Sequence, residues 1–389
     1  MRKVAFAAPF LMEATLRFVR AVQRLPGVRL GLVTQEPLER VPAHVRADLA
    51  GHWRVDDALD AGQLVAGVQG LAGQMGGVDR LVGTLEQAQV PLAGARAQLG
   101  LPGLSVEAAH NFRDKARMKD LLRAAGLPCA RHALAHSASE AWAFASRVGD
   151  AGALGEALAL HAPTAAQPML LEEFVQGEEH SLDTVSLDGR ALWHSISRYR
   201  PTPLEVLREP WIQWCVQVPR EVDDPRYDDI RAAGVAALRT LGMGSGVTHM
   251  EWFRRPDGSL AISEVAARPP GAQFCSLISY AHDTDFYATW ARAVVLDTFE
   301  APQRRYSAGA AYLRGQGGHG RVRAVHGLQQ ALHAVGSLVV EARLPQVGQA
   351  PSGTYEGEGY VILRHPDTEV VAHALQHVIS TVRVELAPA

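Results

Sequence analysis

The sequence predicts an α/β protein with an added antiparallel (α+β) part, divided into several domains. Residues 1–105 alternate short apolar runs with helical patterns, which is typical of a small parallel sheet covered by helices. Further along the chain, two acidic strands flank the dipeptide Asp257-Gly258, which strongly favours an antiparallel hairpin. The length of 389 residues exceeds that of one ordinary domain, so we expect two or three such units.

The composition is that of a globular protein without a membrane span. Hydrophobic residues make up 47% of the chain and charged residues 20%, and the net charge of −3 gives no electrostatic reason to bind nucleic acid or a membrane. The apolar run at 4–12 ends at Glu13, well short of the roughly 18 residues that a spanning helix needs. The scattered cysteines form no CxxC pair, so neither disulfides nor a zinc site is predicted, and we expect a cytoplasmic protein.

Four segments of the first 105 residues are predicted strands, at 3–8, 29–34, 80–83 and 91–94. A helix is predicted between the first two, because one face of that segment is apolar. The first strand runs into Ala7-Ala8-Pro9-Phe10 and not into a Gly-x-Gly-x-x-Gly turn. A dinucleotide site of the Rossmann type is therefore not predicted.

A helix with one apolar face is predicted to open at Asn111-Phe112-Arg113-Asp114 and to end at Gly126. Lys115 lies in its first turn, where a positive charge opposes the helix dipole. Two interpretations stay open for this lysine. It is either a solvated surface residue or a contact to phosphate, which the charge and the helix start would favour.

The middle of the chain continues with alternating elements. An apolar strand at 169–171 leads into the acidic segment 172–180, which on its own is also compatible with an exposed connector. A strand with a turn is predicted at 183–190, and helices are predicted at 225–242 and 287–295. From about residue 303 we expect a distinct unit with a strand at 360–363 and a helix at 369–381.

Each strand of the acidic hairpin carries one glutamate among apolar neighbours, Glu251 in 249–253 and Glu264 in 262–266. This alternation places both carboxylates on the polar face of the hairpin. Adjacent carboxylates repel each other, and a bound cation relieves the repulsion, although an ordinary hairpin with exposed glutamates fits the pattern as well. Arg268 follows four residues after Glu264, and carboxylates that converge with a guanidinium suit a magnesium–nucleotide site.

Taken in order, the lysine helix, the acidic segment after a strand and the acidic hairpin resemble the ATP-grasp superfamily of carboxylate–amine ligases. The resemblance covers residues 111–290 and continues more weakly into both flanks. The segments 248–251 and 266–268 look most like the L-amino acid ligase and carnosine synthase branches, and the C-terminal unit is similar to a biotin-carboxylase-type cap. The implied domains are a Rossmann-like pre-ATP-grasp domain at 1–105, a small ATP-grasp subdomain at 106–190, a large subdomain with the metal site at 191–302 and the cap at 303–389.

The resemblance implies nucleotide contacts along the lysine helix and the acidic segment. Lys115 would contact phosphate, and Glu172 would accept a hydrogen bond from the adenine amino group. Glu173 would take the place of Glu172 if the register shifted by one residue. The other implied contacts are Phe174 and Val175 at the adenine ring and Glu179 at the ribose hydroxyls.

The hairpin residues would hold the metal and the reacting groups. By the resemblance, Glu251 and Glu264 bind Mg²⁺, with Mn²⁺ as the alternative, against the phosphates of ATP. Arg268 would stabilise an acyl phosphate. His249 would act as a base or bind substrate, or it is a histidine packed beside a metal ligand.

The activity implied is the ATP-dependent joining of a carboxylate, in the first place an amino acid, to an amine, with release of ADP and phosphate. The expected partners are small molecules and, as in related ligases, a second copy of the chain. Neither nucleic acid nor a membrane is expected. Two alternatives remain, namely carboxylation or formyl transfer on the same fold, and a regulatory protein that binds ATP without turnover.

The sequence departs from the family pattern at two places. Family members often carry asparagine two residues after the second metal glutamate, and this chain has Ala266 there. The family's second lysine strand and glycine-rich loop are expected where Gly149 runs directly into Asp150. We therefore expect that a segment of roughly 15–25 residues is missing from the sequence at this point, with loss of half the phosphate clamp as the alternative. An intact mass equal to 41.9 kDa would contradict the missing segment.

Overall fold

The computed structural model describes residues 1–148 and 154–388, and the fold begins with a parallel sheet of strands in the order β3-β2-β1-β4. The strands are β1 (Arg2–Ala7), β2 (Val28–Thr34), β3 (Gly51–Arg54) and β4 (Arg80–Val82). The helices of this part are α1 (Glu13–Gln23), α2 (Ala43–Arg46), α3 (Ala61–Met75) and α4 (Gln89–Leu99). The predicted N-terminal parallel α/β layer is confirmed.

One strand of this layer was assigned to the wrong segment. The predicted strand at 91–94 is wrong, because these residues lie inside helix α4. Pro91 stands in the first turn of α4, where its missing N–H costs no hydrogen bond, so proline is compatible with this helix. The third strand is β3, whose sequence Gly-His-Trp-Arg lacks the apolar run that marks a strand.

The next region combines a helical pair with a small antiparallel sheet. Its elements are α5 (Val106–Arg113), α6 (Lys115–Ala124), β5 (His132–Ala135), α7 (Ala138–Val148), α8 (Leu154–Leu160) and β6 (Met169–Glu172). Asp114 caps α6 by accepting a hydrogen bond from the Arg117 amide at 3.0 Å, which explains why the helix begins there. Strands β5 and β6 pair with each other. The expected gap between Gly149 and Asp150 lies outside the described residues.

The remainder of the chain supplies a large antiparallel sheet and a small mixed sheet. The strands are β7 (Glu178–Leu187), β8 (Arg190–Arg200), β9 (Trp214–Val218), β10 (Gly246–Arg254), β11 (Leu260–Ala266), β12 (Ser307–Leu313), β13 (Gly315–Gln316), β14 (Val322–His326), β15 (Val339–Arg343), β16 (Gly359–His365) and β17 (Arg383–Leu386). The helices are α9 (Pro203–Arg208), α10 (Asp228–Leu241), α11 (Phe274–His282), α12 (Phe286–Ala291), α13 (Leu328–Val335) and α14 (Thr368–Thr381).

In the described parts of the chain, the large sheet has the order β11-β10-β7-β8-β9-β12-β16-β15. Strand β12 pairs with β9 over 308–312, so this sheet crosses the domain boundary predicted at 302. The division into four domains stays a prediction. Strands β13, β17 and β14 form the small sheet beside it.

Two apolar clusters hold the site elements in place. Below the acidic hairpin, Trp252 and Ile262 pack with Met118 of α6 and Leu238 of α10. A second cluster joins β1 of the N-terminal sheet to α12, with Phe6 against Trp290 in an edge-to-face contact of 6.1 Å between ring centres. No helix in the described residues is both long enough and apolar enough to cross a membrane.

Candidate active site

Strands β10 and β11 bring the two predicted metal glutamates together. Glu251 lies directly opposite Glu264 in the antiparallel ladder, so both side chains project from the same face. The ladder then skips Ser263 and pairs Trp252 with Ile262, both fully buried in the cluster below. The predicted hairpin is confirmed, and its two carboxylates stand side by side above the core.

Lys115 reaches this carboxylate pair from the first turn of α6. Its Nζ lies 2.5 Å from Oε2 of Glu264. Partial burial disfavours the ammonium ion, but the charge and hydrogen bond of Glu264 outweigh burial and raise the pKa of Lys115. The Lys115 side chain keeps 44% exposure beside this contact, so both interpretations, a surface lysine and a phosphate contact, stay open.

Glu251 is also held as an anion by its surroundings. Burial alone would favour its neutral form, but the positive charge of the nearby His249, followed by that of Lys115, lowers its pKa. The Nε2 of His249 lies 3.7 Å from Oε1 of Glu251. A carboxylate that stays ionised is the form that binds a cation.

His249 is buried and stands in a row of ionisable side chains that the sequence did not reveal. Its Nδ1 lies 2.7 Å from Oδ1 of Asp183, a residue of β7 without solvent exposure. Burial opposes protonation, but the two neighbouring carboxylates outweigh it and raise the pKa of His249 to about 9. The two carboxylates on either side, Asp183 and Glu251, thus favour the protonated imidazole.

Arg268 lies after the end of β11 and is held by a carboxylate of the N-terminal layer. Its Nε and Nη2 lie 3.0 Å and 2.8 Å from the same oxygen, Oε2 of Glu86. Arg113 of α5 approaches the other oxygen of Glu86 at 3.6 Å. Glu86 follows β4, so this ion pair ties Arg268 to the N-terminal layer.

Glu172 and Glu173, neighbours in the acidic segment between β6 and β7, lie in different environments. Oε2 of Glu173 lies 2.5 Å from Nε of Arg131 and Oε1 lies 2.8 Å from Nη2 of Arg255. Burial opposes ionisation, but the hydrogen bonds and charge of Arg131 outweigh it and lower the pKa of Glu173. Glu172 instead lies 2.6 Å from Nζ of Lys119, and 35% of its side chain is exposed.

The rest of this segment lies along the end of β10. Phe174 is exposed and Val175 is half-buried, whereas Glu179 is buried in β7. Burial and the charge of Glu251 raise the pKa of Glu179 to about 8. Gly177 passes so close to β10 that a Cβ atom would lie 2.4 Å from the Arg254 carbonyl oxygen, so a side chain at this position would push the segment away.

The sequence did not single out Glu86, Lys119 or Asp183. Lys119 offered one signal, since it lies four residues after Lys115 and therefore on the same side of α6. Glu86 is 182 residues from Arg268, and no local pattern marks such a contact. Asp183 sits in an otherwise ordinary strand pattern, where its complete burial has no sequence signal.

The donor set fits magnesium better than a metal held by protein groups alone. In the described residues no group of three or more histidine, cysteine, aspartate and glutamate side chains is arranged to hold a metal ion. The pair Glu251 and Glu264 offers carboxylate oxygens on one open face. Mg²⁺ is commonly held by one or two carboxylates together with water and substrate phosphates.

Solved structures have the same fold over nearly the whole chain. An L-amino acid ligase from Bacillus licheniformis superposes with a TM-score of 0.77 at 16% identity, covering 100% of this chain and 99% of its own. A phosphoribosylglycinamide synthetase from Anaerococcus prevotii gives 0.72 at 14% identity, over 99% and 100%. An N5-carboxyaminoimidazole ribonucleotide synthetase from Thermotoga maritima gives 0.71 at 16%, over 100% of both chains. The chain therefore has the ATP-grasp fold that the sequence predicts.

Two curated proteins are also similar in sequence. The L-arginine-specific L-amino acid ligase of Bacillus subtilis is 24% identical over 267 residues, which cover 60% of this chain and 62% of the relative. The uncharacterized protein y4rH of Sinorhizobium fredii is 23% identical over 317 residues, which cover 74% and 64%. The chain thus spans less than two thirds of the length of these curated relatives. No protein-family model matches it.

Proposed function

We propose that this protein is an ATP- and magnesium-dependent ligase that joins a carboxylate, an amino acid in the first place, to an amine. The observation that carries the proposal is the hairpin pair Glu251 and Glu264, which lie opposite each other with Lys115 at 2.5 Å, on an ATP-grasp fold. The name of the Bacillus subtilis relative supports an amino acid as the carboxylate.

Each step of the proposed reaction depends on particular residues of the site. A carboxylate is a poor electrophile, and its attack on the γ-phosphorus of ATP, with departure of ADP, gives an acyl phosphate. The amine then attacks the acyl carbon, and phosphate leaves. Lys115 holds phosphate, and Arg268, fixed by Glu86, stabilises the negative charge of the acyl phosphate and of the tetrahedral oxyanion. Glu251 and Glu264 hold Mg²⁺, which neutralises phosphate charge when it is bound.

The acidic segment binds the nucleoside. Glu172 accepts from the adenine amino group, because Glu173 is already engaged by Arg131 and Arg255. Phe174 and Val175 line the base, and Glu179 accepts from the ribose hydroxyls. Without nucleotide, burial and the charge of Glu251 raise the pKa of Glu179 to about 8, and hydroxyl donors of the ribose would shift it toward the ionised form.

His249 orients Glu251 in this proposal and does not serve as the base. A cationic imidazole has no lone pair to accept a proton from the amine, and its pKa near 9 supports the cation. The packed histidine that the sequence left open is thus the alternative we favour. Asp183 fixes the ring from the other side at 2.7 Å.

The proposal is tested by a phosphate-release screen with full-length protein, ATP and Mg²⁺, across amino acids, dipeptides and small carboxylates. At least one pair of substrates should release ADP and phosphate in equal amounts. Glu264→Gln should lower that rate by roughly a hundredfold or more, since it removes a charged ligand oxygen. The matched control is Glu107→Gln, a carboxylate of α5 with 80% exposure.

Wild-type turnover retained by Glu264→Gln would refute the metal assignment, and ATP binding without any release would favour the regulatory alternative. A second candidate is carboxylation or formyl transfer. The likeness of fold to the Thermotoga maritima synthetase favours it. Release that depends on bicarbonate or formate, and not on an amine, would select this candidate.

A further inference from the structure

Lys119 is a buried ammonium ion that none of the proposed chemical steps uses. It lies one turn after Lys115 on α6, and its side chain has no exposure to solvent. Its Nζ lies 2.6 Å from Oε1 of Glu172 and 2.6 Å from the carbonyl oxygen of Ser263. Burying a charge is costly unless it is paired and hydrogen-bonded, so these two acceptors fix where Nζ stands.

The two acceptors belong to the two halves of the candidate site. Glu172 ends strand β6 of the two-stranded sheet β5-β6, next to the segment proposed to bind adenine. Ser263 is the residue that the β10–β11 ladder skips, and it directly precedes Glu264. One ammonium therefore ties the carboxylate proposed to receive adenine to the strand proposed to hold the metal.

This contact settles which oxygen of Glu172 remains open. Oε1 is engaged by Lys119, and the 35% exposure of the side chain leaves the carboxylate accessible from the outside. Glu173, by contrast, has both oxygens engaged by arginines. Because Lys119 is completely buried, its Nζ does not reach a bound nucleotide without leaving Glu172.

We propose that Lys119 is a positioning residue for base selection, an inference that rests on the proposed ATP-dependent function. By holding Oε1 of Glu172, it aims the other oxygen at the exocyclic amino group of adenine. A carboxylate accepts hydrogen bonds and does not donate them. A purine with a carbonyl oxygen at that position, as in inosine triphosphate, places this oxygen against the open oxygen of Glu172. Both atoms are acceptors, so no hydrogen bond forms and the nucleotide is rejected.

The test compares the dissociation constants of ATP and inosine triphosphate for the full chain, measured with Mg²⁺ and without second substrates. The wild type should prefer ATP. Lys119→Met should lower that preference on the order of tenfold, the effect of misplacing one charge-assisted hydrogen bond. Lys115→Met is the matched control, because loss of a phosphate contact weakens both nucleotides alike and leaves their ratio unchanged.

A folded Lys119→Met protein with the wild-type ratio would overturn the proposal, as would a wild type that binds both nucleotides equally. In Glu172→Gln, adding Lys119→Met should change the ratio no further, because the lysine acts through that carboxylate. If Lys119→Met does not fold, Lys119→Gln is judged by the same ratio. A wild type that binds neither nucleotide would instead refute the proposed function itself.

Discussion

The Lys115 ammonium lies 2.5 Å from the Glu264 carboxylate and joins the start of α6 to strand β11 through opposite charges. Glu251 stands across the ladder from Glu264, and its charge also favours the protonated form of Lys115, although less than that of Glu264 does. In the proposed site, a divalent cation that binds both carboxylates would compete with this lysine, whereas a nucleotide phosphate would attract it. The proposal therefore predicts that cation binding and nucleotide binding are coupled through one side chain.

Lys115→Met should tighten the binding of Mn²⁺ alone and weaken ATP turnover. Without the ammonium both carboxylates are available to the cation, and the phosphate loses a positive partner. We expect changes of about tenfold in each direction, the value of one charge-assisted contact. Spin-resonance titration of Mn²⁺ and an ADP-release assay measure the two effects. The control is Lys3→Met, a lysine of the N-terminal layer that donates to the carbonyl of Gly76. Equal Mn²⁺ affinity in the wild type, Lys115→Met and Lys3→Met would show that Lys115 does not compete with the cation.

Glu172→Gln and Glu173→Gln should have different consequences. Glu172→Gln weakens an acceptor for adenine, so KM for ATP should rise several-fold; it also removes the charged partner of buried Lys119, so the melting temperature should fall as well. Glu173→Gln leaves Arg131 and Arg255 without a charged acceptor, so the melting temperature should fall by about 2 °C or more while KM for ATP stays unchanged. Steady-state kinetics separate the two variants. If Glu173→Gln raises KM and Glu172→Gln does not, the register of the adenine contact is shifted by one residue.

Glu86→Gln should lower kcat while leaving KM for ATP unchanged. The Glu86 carboxylate accepts two hydrogen bonds from Arg268, and a neutral amide holds the guanidinium less firmly at the reacting groups. A loss of roughly tenfold is expected from misplacing one transition-state contact. Glu107→Gln on α5, with 80% exposure, serves as the control. An unaltered kcat in Glu86→Gln would mean that Arg268 is positioned by other groups.

Glu179 should make thermal stability depend on pH. Its folded pKa of about 8 lies above the ordinary value of 4.5, so between these values the unfolded chain ionises while the folded protein keeps its proton. The folded state then binds more protons, and stability falls as pH rises through this window. Glu179→Gln removes this loss. The melting temperatures of Glu179→Gln and the wild type are measured in EDTA at pH 5 and at pH 8. The difference, variant minus wild type, should be roughly 2 °C larger at pH 8 than at pH 5. A difference that does not change with pH would argue against a perturbed Glu179.

The parts of the site that the sequence predicted are those encoded locally. The alternation around Glu251 and Glu264, together with the turn between them, fixes a hairpin from neighbouring residues alone, and the structure pairs these two glutamates directly. The helix predicted to open at 111–114 begins at Lys115, because Asp114 caps it, whereas residues 111–113 belong to the preceding helix α5.

The parts that escaped prediction depend on tertiary contacts. Glu86 looks like any loop carboxylate until the N-terminal layer packs on α12 and brings it to Arg268. Asp183 becomes significant only because β7 lies beside β10 and faces His249. The error at 91–94 has a different origin, since four small apolar residues suit a strand or a helix turn equally well.

The pairing of β12 with β9 bears on whether the chain could be shortened at the predicted boundary. A chain ending at residue 302 would leave the ladder groups on one side of β9 bare, and such an edge invites association with other chains. We therefore expect removal of residues 303–389 to cause aggregation instead of leaving an independent shorter protein.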